Sequence, residues 1–103
     1  MNQKLTVFIE YKVKPDIIEQ YEAHMQNVLI ELMKDGARNT SWLKALDQDS
    51  LYVESFDVEG SEVYHSLKQL RLLKGHSVYG PLDQMISGGL SKLHCWAFEK
   101  KGE

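Results

Sequence analysis

Among the side chains able to carry chemistry, His76 is the best placed. It follows a helical stretch, stands beside Ser77 and Tyr79, and is flanked by Gly75 and Gly80. An imidazole titrates closest to neutrality, so there it could hold an anion, ligate heme iron or relay a proton. The alternative is a solvated loop histidine. His94 alternates with Lys92 and Trp96, which suits an interface hydrogen-bonding residue. His24, near Gln20 and Glu31, reads as a half-buried structural histidine, and His65 projects away from Val63, Leu67 and Leu70 toward solvent. These histidines have no i, i+4 pairing and no neighbouring carboxylate cluster, so no metal site is expected. Cys95 is the only cysteine, which excludes an internal disulfide and a thiolate metal cluster. It reads as a small buried hydrophobe. Lys68, Arg71, Lys74 and His76 form a basic run that suits a solvated helix end and its negative dipole.

The elements that position these groups follow from periodicity. Alternation marks strands at Leu5–Val13, Thr40–Leu46, Leu51–Val58 and Leu90–Phe98. After Lys14-Pro15-Asp16 the period changes: Ile17, Ile18, Tyr21, Met25, Val28, Leu29, Leu32 and Met33 predict a helix from Asp16 to Lys34. Asp16 and Glu19 have capping-box spacing, and Gly36 supplies a left-handed stop. Asp47-Gln48-Asp49-Ser50 is a hairpin turn. Gly60-Ser61 opens a second helix with Val63, Leu67 and Leu70 as its buried stripe, and Gly75 closes it. A loop with a short helical turn at Pro81 leads to the last strand, and Lys100–Glu103 is a solvated tail. The order is β-α-β-β-α-β, the ferredoxin-like split βαβ pattern: an α+β fold with a four-stranded antiparallel sheet and both helices on one face. At 103 residues the chain makes one domain, 1–103.

Taken as strands, the residues divide between two surfaces. Leu5, Val7, Ile9, Leu43, Ala45, Leu51, Val53, Leu93, Cys95 and Ala97 form an aliphatic face that needs helices over it. Phe8, Trp42, Tyr52, Phe56, Trp96 and Phe98 form an aromatic face, interleaved with Glu10, Lys44, Glu54, Lys92 and His94, which read as one ion-pair network. Six bare rings are unusual on a monomer, so this face, His94 included, is the expected homodimer interface. An RNA-recognition module has the same element order. Net charge −3 and Glu54 between Tyr52 and Phe56 argue against it, so no nucleic-acid partner is expected. No apolar run is long enough for a membrane span or a signal peptide, and a cytoplasmic location without a membrane partner is the expectation.

The strand, the long helix at Pro15-Asp16, the hairpin, the second helix and the terminal strand after a glycine-bearing loop resemble the dimeric α/β barrel superfamily, and within it the antibiotic-biosynthesis-monooxygenase-like group. Phe56-Asp57-Val58 followed by Glu62, Tyr64 and His65, with His76 beyond, is similar to that group's passage from strand to helix to histidine. The resemblance implies a small-molecule ligand, an aromatic oxygenated without a cofactor, in a pocket between sheet and helices closed by the His76–Gly89 loop. In that reading His76 is the catalytic base and Tyr64 and Tyr79 orient the substrate. A heme-degrading branch of the group pairs a first-strand Asn with a Trp and a His on the second helix. No Asn lies between Lys4 and Pro15 here, which leaves heme binding through His76 as the alternative cofactor reading.

Overall fold

The computed structural model describes residues 3–102; Met1, Asn2 and the tail residue Glu103 lie outside them. Strand β1 (Lys4–Lys12) leads through a 3-10 turn at Pro15–Ile17 into helix α1 (Ile18–Lys34). Strands β2 (Arg38–Lys44) and β3 (Leu51–Glu59) form the hairpin, and helix α2 (Ser61–Arg71) follows. A loop carrying the single turn α3 (Leu82–Met85) and a 3-10 turn at Leu90–Lys92 precedes β4 (His94–Glu99). The sheet is antiparallel in the order β2-β3-β1-β4, and the two middle strands are β1 and β3. This is the expected α+β ferredoxin-like arrangement.

Several local expectations change. Asp16 makes no capping hydrogen bond, because the proline-led turn runs to Ile17 and α1 begins only at Ile18. The last strand starts at His94, since Leu90–Lys92 coils first. Helix α2 ends at Arg71, short of Gly75. Gly36 does what its type suggested: its φ of +109° closes α1, and a Cβ there would lie 2.9 Å from Val63 Cγ1.

The largest correction concerns which way β2 and β3 face. Residues directly opposite in an antiparallel pair point to the same side. Val7 lies opposite Phe56, Ile9 opposite Glu54 and Tyr11 opposite Tyr52, and Trp42 lies opposite Glu54 in turn. Trp42, Tyr52, Phe56, Lys44 and Glu54 therefore share the helix-covered side with Leu5, Val7 and Ile9. Trp42, Tyr52 and Phe56 leave the expected interface. Leu43, Leu51 and Val53 take their place on the open side, with Leu43 54% exposed. For β1 and β4 the expected division holds. Phe8 pairs with Trp96, Thr6 with Phe98 and Glu10 with His94 on the open side, while Cys95 and Ala97 face the helices.

The core lies between the sheet and the inner faces of α1 (Tyr21, Met25, Val28, Leu32) and α2 (Tyr64, Leu67, Arg71). The stripe on α2 is thus centred on Tyr64, Leu67 and Arg71, with Val63 and Leu70 only partly buried at its margins. No described helix is long and apolar enough to cross a membrane.

Candidate functional site

An ion pair fixes the centre of the interior. Glu54 stands at mid-β3 and Arg71 on the last turn of α2; neither side chain reaches solvent, at 0% exposure each. Arg71 engages both carboxylate oxygens, Nη1 with Oε1 and Nη2 with Oε2, the latter at 2.9 Å. This fork is the geometry that makes arginine suited to a buried carboxylate. Burial opposes the guanidinium charge, but Glu54 more than offsets it and holds Arg71 protonated. Arg71 is therefore no solvated helix end.

Tyrosines surround the pair. The Tyr11 hydroxyl donates to Glu54 Oε2 at 2.5 Å and lies 2.7 Å from the Tyr21 hydroxyl. Trp42 Nε1 donates to that same Tyr21 oxygen at 3.0 Å. Burial, with Glu54 nearby, pushes the Tyr11 phenol well above its usual range, and burial does the same to Tyr21. The predicted pocket between sheet and helices is therefore occupied by the chain's own Tyr11, Tyr21, Tyr52, Phe56, Met25 and Arg71, all 2% exposed or less.

The three expected site residues come close to this cluster but are engaged in holding it. Tyr79 is fully buried; its hydroxyl donates to Asp35 Oδ2 at 2.8 Å and its ring lies 5.0 Å from the Arg71 guanidinium. Burial and the Asp35 contact push its phenol up. Tyr64, 9% exposed, donates to the Cys95 carbonyl at 3.4 Å, and burial raises its phenol too. His76 stacks on Tyr79 at 4.4 Å, and its Nδ1 accepts the Val78 and Tyr79 amides at 3.1 Å each. Its Nε2 faces Glu31 Oε2 at 3.9 Å. Nδ1 is thus committed to fixing the loop, whereas Nε2, at 3.9 Å from Glu31, is beyond hydrogen-bond distance.

Glu31, Asp35 and His76 bring ligand atoms within 4.8 Å of one another. Because Nδ1 accepts two amides, the ring proton sits on Nε2, and a protonated nitrogen has no lone pair for an ion. The geometry does not favour a metal there. His24 and His65 behave as their surroundings suggested: His24 Nε2 lies 2.6 Å from the Val78 carbonyl, and His65 is exposed. Cys95 is buried, and burial pushes its thiol up.

The interior approaches the surface beside the sheet edge at β2. A cleft of about 170 Å³ is lined by Glu22, Trp42, Leu43, Lys44 and Tyr52. The Trp42 and Tyr52 rings stack there, 6.0 Å apart and inclined by 22°, and Lys44 Nζ stands 6.0 Å from the Tyr52 ring. Tyr52 donates to Glu22 Oε2 at 2.6 Å; burial and that carboxylate push its phenol up to about 12. Sequence reasoning missed Glu22, Tyr11, Tyr21 and Arg71. The available signal was the helical spacing of Tyr64, Leu67 and Arg71, which puts a guanidinium on the buried stripe.

No protein-family profile and no curated protein matches the chain. Solved structures do. A conserved protein of Methanosarcina mazei Go1 aligns over 96% of this chain and 94% of its own, with a TM-score of 0.75 at 12% identity. A candidate antibiotic biosynthesis monooxygenase of Nitrosomonas europaea covers 98% and 93%, with a TM-score of 0.72 at 9% identity. SnoaB of Streptomyces nogalater, a cofactor-independent oxygenase, covers 98% and 96%, with a TM-score of 0.69 at 12% identity. The fold is that of the antibiotic-biosynthesis-monooxygenase-like proteins. At such identities the likeness concerns the fold alone.

Proposed function

We propose that this chain is a homodimeric, cofactor-free binding protein of the oxygenase-like fold, and that its ligand is a small aromatic molecule seated against Trp42 and Tyr52. The observation that carries the reading is the cleft of about 170 Å³ in which a stacked indole and phenol meet a carboxylate, Glu22, and an ammonium, Lys44. An apolar cavity of about 150 Å³ accepts a benzene ring, so the cleft takes one ring. That ring would extend the Trp42–Tyr52 stack, its hydroxyl would donate to Glu22, and an anionic substituent would meet Lys44.

The homodimer in this reading rests on the open sheet face. Trp96 and Phe98 are 47% and 51% exposed, Leu43 is 54% exposed, and Phe8 packs edge-on to Phe98 at 5.7 Å. One second reading has specific support, oxygenation of the bound aromatic. A phenol that passes its proton to Glu22 becomes an electron-rich phenolate, from which oxygen can take electrons, and the similar SnoaB is a cofactor-independent oxygenase.

The chain has two tryptophans, so Trp96→Phe leaves Trp42 as the sole indole. Catechol or hydroquinone should quench its emission saturably, and Glu22→Gln should weaken the effect about tenfold, the loss of a charge-assisted hydrogen bond. Quenching that is linear and unchanged by Glu22→Gln would contradict the proposal. An oxygen electrode decides the second reading: uptake with the same ligands in metal-free buffer supports it, and no uptake leaves binding alone.

A further inference from the structure

A second cleft, of about 440 Å³, lies at the opposite side of the sheet from the core and away from Trp42. Its lining is Glu10, Tyr11 and Lys12 of β1, Leu51 of β3, Lys92 and His94 at the start of β4, and the loop residues Ser87 and Gly88. That volume falls within the range of small-molecule sites, roughly 300–1,000 Å³.

The charges here are unusual for this chain. Lys12 and Lys92 face one carboxylate, Glu10, in a protein whose net charge is −3. Among the described residues, no ion pair within 4.0 Å engages Lys12, Lys92, Glu10 or His94. The loop that forms the rim is fixed in place. The Ser87 amide donates to the Lys12 carbonyl at 2.8 Å, and Val13 and Ile86 form an isolated antiparallel bridge. Lys92 is held as well: its stem crosses the bare side of Gly88, where an added Cβ would lie 2.5 Å from Lys92 Cγ. Gly88 has a φ of +85°, so a glycine is favoured at the one place where this lysine must pass close to the backbone. The His94 ring is oriented by stacking on Trp96 at 5.7 Å with 7° between planes.

We infer that this cleft is a binding site for a small organic anion, a carboxylate or phosphate monoester, whose charged end is received by Lys12 and Lys92 and whose hydroxyl or amine donates to Glu10. His94 adds a donor across the strand pair from Glu10. The site goes beyond the aromatic cleft and shares no residue with it; it lies at the Gly88 end of the open sheet face and borders the proposed dimer surface where His94 stacks on Trp96.

The test uses ¹⁵N-labelled full chain titrated with phenyl phosphate, benzoate and glycerol 3-phosphate. The expected result is saturable shifts of the Gly88, Lys92 and His94 amides with a Kd near or below about 1 mM. The Glu22 and Trp42 amides, which belong to the aromatic cleft alone, stay unmoved, so failure here and failure of the aromatic reading are separately visible. The exposed Lys12→Gln/Lys92→Gln double variant should weaken binding at least tenfold. Glu10→Gln should tighten phenyl phosphate, which lacks a donor for Glu10, and weaken glycerol 3-phosphate, which has one. A preference for benzoate or for phenyl phosphate identifies the anion, and either supports the site. Absence of saturable shifts with all three, or equal binding by the double variant, overturns it.

Discussion

Replacing Arg71 with methionine keeps an unbranched apolar stem but removes the guanidinium and leaves Glu54 as an unpaired charge at 0% exposure. Breaking a buried pair from one side costs about 3–5 kcal/mol, because the surviving ion keeps its desolvation penalty without its partner. The Tyr11 hydroxyl still donates to Glu54, which favours the lower end of that range. Such a loss is roughly a third of the stability of an ordinary domain. For a chain of this size it lowers Tm by roughly 12–40 °C. Arg71→Lys should recover little, since an ammonium cannot span both carboxylate oxygens. The double variant Glu54→Gln/Arg71→Met removes both charges and should be more stable than Arg71→Met alone. Urea unfolding followed by circular dichroism gives all four corners of the cycle. A cost below about 1 kcal/mol for Arg71→Met, or simple additivity of the two substitutions, would refute the claim that this pair organises the core.

Two further outcomes follow from the same interior and from the opposite face. All five tyrosines have phenols raised by burial. A raised folded-state value gives stability that is full below the unfolded tyrosine value near pH 10 and is lost as pH climbs through the folded one, about 12 for Tyr52. Absorbance at 295 nm should therefore show tyrosine ionisation displaced above pH 10 while the chain is folded, and a full five-tyrosine step at pH 10 with native circular dichroism would contradict the packing. Trp96→Glu should dissociate the proposed dimer: about half of a ring of roughly 250 Å² is exposed, worth about 3 kcal/mol per protomer and more than a hundredfold in Kd. Sedimentation that finds the parent chain monomeric at micromolar concentration sinks the dimer.

The element order and the Gly36 stop were legible from periodicity and residue type, and the two faces of β1 and β4 because one alternate set, Leu5, Val7, Ile9, Cys95 and Ala97, is wholly aliphatic or small. Strand β3 was not, because both of its faces mix the two kinds. Leu51 and Val53 look like the inward set, yet Tyr52, Glu54, Phe56 and Val58 go inside. Tyrosines can be buried where their hydroxyls find partners, and here Tyr52 finds Glu22 while Tyr11 and Tyr21 find each other and Glu54. Glu54 could be buried because Arg71 comes down onto it from α2, a long-range pairing that strand alternation does not encode. The loop-fixing part that His76 plays was not legible, for a local reason. Its Nδ1 is taken by the amides two and three residues on, a turn that depends on backbone geometry and leaves no mark in residue type.

The central claim, an aromatic ligand at the β2 edge, is tested most directly by intermolecular NOEs between a bound dihydroxyaromatic and the protein's own rings. The account predicts cross-peaks from ligand ring protons to Trp42 and Tyr52, with none to Tyr64 or Tyr79. Cross-peaks to Tyr79 and His76 instead would show that the interior opens to admit ligand, and would contradict it.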